Sequence, residues 1–86
     1  MNTIFLLAAK YDASPLVPAD RVRADFFPHM SEKVFNAQLD TGKIGLPVVR
    51  ASSSQKAPRC IPLIDLARYL DQQSELARRQ LERIRN

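Results

Sequence analysis

Cysteine and histidine are nearly missing from this chain of 86 residues, which holds one of each, Cys60 and His29. A domain this short buries only about 60% of the surface that its unfolded chain exposes. Disulfides and structural zinc, the usual supplements to a small core, are excluded by that count. Tryptophan is absent and glycine occurs only at Gly42 and Gly45, too few for a glycine-rich phosphate loop. No apolar run approaches the roughly 18 to 20 residues needed to cross a bilayer, and no basic segment precedes the apolar opening from Ile4 to Ala9. The expectation is a cytoplasmic protein with no membrane contact. His29 has no nucleophile with an orienting partner marked out beside it, and Cys60, between Arg59 and Ile61 in a β candidate, reads as a small buried thiol. Neither an enzyme nor a cofactor is expected.

What the chain does hold is apolar material for one core. The hydrophobic fraction is 45% and includes four Phe and two Tyr, enough for a folded domain. Thirteen Lys and Arg against nine Asp and Glu leave a net charge of +4, which suits a polyanionic partner. Charge alone is weak evidence, so the distribution along the chain matters more.

The opening from Thr3 to Tyr11 fits a short buried helix or a buried strand, since periodicity cannot decide a continuous apolar run of this length; a helix is favoured. Asp12 to Pro15 signals a turn, and Leu16-Val17 is a brief extended piece between prolines. Pro18 suits a first helical turn and Asp20 the positive end of the helix dipole, giving a helix to about Phe27 with Val22 and Phe26 toward the core. After the break at residues 27–30, Ser31 is a good N-cap for a second helix from Glu32 to Thr41, closed by Gly42. Leu46 to Arg50 and Arg59 to Pro62 are β candidates that would pair as a hairpin around a polar loop. From Leu63 onward there is no Gly or Pro, so a helix from Ile64 can run to the end. The expected fold is α+β, mostly α: a small winged helix-turn-helix with a two-stranded wing and a long C-terminal helix. Residues 1–72 form the domain, and residues 73–86 a basic helical extension.

That element order points to double-stranded DNA as the partner, with the second helix in the major groove and the wing on the flanking backbone. On the helix of residues 31–41, Val34, Phe35 and Leu39 are expected to pack, leaving Lys33, Asn36, Ala37 and Asp40 on the other side. Asn36 matches the paired hydrogen bonds that adenine offers, Lys33 can reach guanine or phosphate, and Ala37 allows close approach. Ser31 and Lys43 flank this face. In the wing, Arg50, Lys56 and Arg59 accompany Ser52, Ser53, Ser54 and Gln55, and no acidic residue lies between Asp40 and Asp65. A cationic, hydroxyl-rich loop of this kind suits phosphate or the minor groove. An ordinary solvated helix face and a soluble loop tip are the plainer readings of the same residues.

The last helix carries a thin heptad, Leu63, Ala67, Leu70, Ser74, Ala77, Leu81 and Ile84, at alternating spacings of four and three. It is compatible with a homodimer. Arg78, Arg79, Arg83 and Arg85 would repel across such a pair or reach for DNA, and a frayed, solvated basic tail weighs equally.

Several pieces of the chain together resemble the pyocin activator protein (PrtN-type) family over roughly Asn2 to Gln72. They are Asn2-Thr3 with Phe5-Leu6-Leu7, Asp25-Phe26-Phe27, Gly42-Lys43-Ile44 with Leu46-Pro47, residues 53–57 (SSQKA), and Asp65-Leu66-Ala67 with Tyr69-Leu70-Asp71. The resemblance implies a transcriptional activator that binds upstream of bacteriocin or prophage genes, with RNA polymerase as a further partner. The passage from Gly42 through Arg50 and the Ile61 to Leu66 segment are also similar to excisionases and MerR-like winged domains. That likeness implies a DNA-bending protein acting in cooperative arrays with an integrase. A third reading, from another class, is a protein-binding anti-repressor that uses the C-terminal helix. The residues of the recognition helix match no family pattern, so neither the operator nor the choice between activator and excisionase is fixed by the sequence.

Overall fold

The computed structural model describes residues 2–54 and 56–85. Gln55, one of the wing residues singled out above, lies outside the described residues.

The ambiguous opening is a helix, α1 (Thr3–Lys10), because the Asn2 side chain accepts from the Ile4 N–H at 3.0 Å and so caps its first turn. The chain leaves α1 through Asp12 and Ala13, both at positive φ (55° and 58°). It then enters β1 (Leu16–Pro18) and passes directly into α2 (Ala19–Phe26), with Pro18 at its N-cap. Val22 is fully buried and Phe26 packs against the core. The break after α2 ends at Ser31, whose hydroxyl accepts from the Val34 N–H and caps α3 (Glu32–Asp40). Gly42 follows at φ +78°, the left-handed conformation that closes a helix. β2 (Cys60–Pro62) leads without a break into α4 (Leu63–Arg85).

One expectation of pairing is corrected. The two-stranded antiparallel sheet joins β1 to β2, with Val17 opposite Ile61 and both buried, whereas the segment before the wing contributes a single bridge, Val49 to Cys60. Val49 and Cys60 exchange both backbone hydrogen bonds at 2.8 Å. The next hydrogen-bonded pair on one side would be Pro47 with Pro62, and on the other Ala51 with Pro58. Proline has no N–H to give, so the ladder loses both bonds at the first pair and one of two at the second. β2 is free to pair on its other edge with β1, and the wing is a loop pinned at its base.

The core lies where the helices meet this small sheet. Phe27 and Phe35 join α2 to α3 with ring centroids 5.0 Å apart, and Tyr69 of α4 approaches Phe27 at 6.0 Å. Tyr11 is buried and donates to Asp25 Oδ2 at 2.6 Å, while the Arg21 guanidinium lies 4.8 Å over its ring. Ile44 and Leu46 bring the chain after α3 back into the core. The result is a mostly helical α+β fold with the winged-helix layout. From Asp71 onward every described residue of α4 is exposed, and the molecule measures 52 × 27 × 19 Å. Among the described residues no helix is long and apolar enough to cross a membrane.

Candidate nucleic-acid interface

α3 is held to the body by a narrow stripe. Phe35 and Leu39 are buried, and the remaining side chains of the helix are exposed or half-buried. Val34, expected in that stripe, is instead 45% exposed. It lies about 100° around the helix from Phe35, on the side away from Leu39, so it joins the free face. That face presents Lys33, Val34, Ala37 and Asp40. Asn36 is half-buried on its flank and lines a recess of about 220 Å³ with Glu32, Pro18, Asp20 and Arg59.

The wing meets α3 through a contact that spacing could not reveal. Arg59 pairs with Asp40, nineteen positions earlier, with Nη2 at 2.6 Å from one carboxylate oxygen and Nη1 at 3.5 Å from the other. This fork geometry fixes direction as well as distance. The hydrogen bond from Arg59 holds the Asp40 carboxyl below the usual carboxylate range, with the Arg59 and Arg50 charges acting the same way. Two residues read as separate DNA contacts are therefore joined to each other, and Arg59 spends its outer nitrogens on the protein. Its Nε is buried with no partner among the described residues.

Beyond that pair the wing residues are turned outward. Arg50, Ser52, Ser53, Ser54 and Lys56 are exposed, as is Lys43 just past the end of α3. Ser52 Oγ accepts from the Ser54 N–H at 3.3 Å and Ser54 Oγ from the Lys56 N–H at 3.1 Å, local turns that shape the tip. Ser31 serves as the α3 cap. His29 is exposed in the turn between α2 and α3.

Free helix face and cationic loop thus sit side by side, tied by one ion pair. A family model described as "Pyocin activator protein PrtN" matches residues 3–77. The chain belongs to the pyocin activator protein family. The match runs from the first residue of α1 through the first two-thirds of α4, so it takes in α2, α3, the wing and β2. No curated protein and no solved structure matches the chain significantly. Val34 and the Asp40–Arg59 pair are the two features of this surface that sequence reasoning missed. Val34 was visible as the residue least able to share an arc with both Phe35 and Leu39, whereas the ion pair had no local signal.

Proposed function

We propose that this pyocin activator family member is a DNA-binding transcriptional activator of pyocin or prophage genes. In this reading α3 enters the major groove and the wing follows the adjacent backbone. The observation that carries the proposal is the free face of α3, Lys33, Val34, Ala37 and Asp40, standing beside the exposed cations Arg50 and Lys56 with the wing base locked to the helix by Arg59.

Roles follow from chemistry. Lys33 reaches guanine or phosphate, Val34 and Ala37 can rest against thymine methyl groups, and Asn36, at the edge of the face, offers the donor and acceptor that adenine requires. Lys43, Arg50 and Lys56 neutralise phosphates, and the serine hydroxyls of the tip add uncharged phosphate contacts. Arg59 acts as a positioning residue, setting the angle of the wing. The net acidity of α3 itself leaves attraction to DNA with these flanking cations.

Fluorescence anisotropy on DNA from upstream of bacteriocin-type operons, across a salt series, tests the reading. Binding should weaken steeply with salt, and a promoter reporter should rise when the protein is supplied. DNA binding with no promoter response and stimulated excision in the presence of an integrase would instead favour the excisionase role.

A further inference from the structure

The face of α4 that enters the core continues past the point where the core ends. Leu63 and Ala67 are buried and Leu70 half-buried, and Ser74, Ala77, Leu81 and Ile84 carry the same stripe outward, with Leu81 51% and Ile84 81% exposed. Alternating steps of four and three are the seam of two helices wound together. A projecting helix of some 15 residues is marginal in water without a partner.

Charge along the projection is uneven. Its near end carries Asp71 and Glu75, a charge of −2, whereas its far end carries Arg78, Arg79, Arg83 and Arg85 against Glu82, four positive less one negative, or +3. We propose that a second copy of this chain docks antiparallel along this stripe, with Ser74 of each copy opposite Ile84 of the other and Ala77 opposite Leu81. Arg83 then lies opposite the other copy's Glu75 and Arg85 within a turn of its Asp71, while Arg78 and Arg79 fall at the middle of the overlap beside Glu75 of their own helix.

Three observations favour this arrangement. Antiparallel pairing sets each small residue against a large one, whereas a parallel pair would stack Ser74 on Ser74 and Ala77 on Ala77 and bring two basic tips together. Sliding one heptad deeper would require the places of Ala67 and Leu70, which their own core already covers. The groups at the near end are only lightly engaged: Asp71 accepts from the Thr3 hydroxyl through one oxygen, leaving the other for Arg85. Glu75 holds Arg78 and Arg79 of its own helix at 3.5 Å, exposed pairs that exchange at little cost.

The test needs no DNA and so stands or falls apart from the proposed function. Light scattering of the full chain should give twice the 9.7 kDa chain mass. Leu81→Asp with Ile84→Asp, both at exposed positions outside the core, should give the single-chain mass and keep the cooperative thermal transition of the core, with helical circular dichroism lowered only by fraying of the projecting half of α4. Arg85→Asp should weaken pairing about tenfold, and Asp71→Arg added to it should restore pairing. In a Cys60→Ser background, Ser74→Cys chains should cross-link to Ile84→Cys chains and neither should cross-link to itself. A single-chain mass at all concentrations, which would leave the stripe to a different protein, overturns the proposal. So does self-linking of the Ser74→Cys chain, which marks a parallel pair.

Discussion

Lys56 and Arg59 lie three residues apart in the same acid-free stretch, yet the fold gives them different work. Arg59 is bound to Asp40 and Lys56 is exposed to solvent. Sequence reasoning treats the two alike, since a partner nineteen positions away leaves no local trace. Lys56→Ala should therefore lower the salt slope of DNA binding by about one, the value for one phosphate contact, whatever the DNA sequence. Arg59→Ala and Asp40→Ala should each reduce affinity by loosening the wing, and the double variant should be no worse than the worse single one; additive losses in a double-mutant cycle would show two independent contacts. Because the folded-state pKa of Asp40 is depressed, the stabilisation from this pair is present above its unfolded value, about 3.9, and is lost as pH falls through the folded value. The wing anchor is thus intact at neutral pH. Asn36→Ala should cost about 1 to 3 kcal/mol on a selected site and relax one base position, while leaving binding to random DNA unchanged.

At the scale of elements, the helices were legible because their ends are written in single residues. Ser31 and Gly42 bracket α3 where expected, and the Pro18-Asp20 start of α2 holds to within one residue. Asn2 decided α1, where hydropathy left helix and strand open. Gly42→Ala isolates the backbone term, since nothing lies within 4 Å of the added methyl group and only the positive φ opposes it. A loss of about 1 kcal/mol in denaturant unfolding is expected; a neutral result would mean that the α3 terminus relaxes. The hairpin was less legible, because β propensity counts side chains and the ladder depends on N–H groups. Pro47 and Pro62 remove both donors on one side of the Val49–Cys60 bridge, and Pro58 removes one of the two on the other.

Across the whole molecule, one core organises a surface with two unlike ends, the α3–wing side and the projecting half of α4. Core stability has an alkaline limit. Burial, reinforced by the Asp25 hydrogen bond and charge, raises the Tyr11 hydroxyl well above its ordinary pKa of 10. Its contribution is therefore complete below pH 10 and is lost as pH rises beyond that value, because unfolding releases a hydroxyl that ionises readily. Thermal melts should fall steeply above pH 10, and Tyr11→Phe should flatten that fall while costing about 1 kcal/mol at pH 7. The fold class and the family resemblance were readable from the chain, and residues 3–77 match the family model. What the chain could not show was the coupling of the wing to α3, on which the proposed interface depends. The most direct test of that interface is selection of bound sites from a random DNA pool, followed by salt titration of the enriched site with the chain and its Asn36→Ala and Lys56→Ala variants. The account predicts a defined motif, a steep salt slope, relaxed specificity for the first variant and a shallower slope for the second; no enrichment, or no binding at low salt, would contradict it.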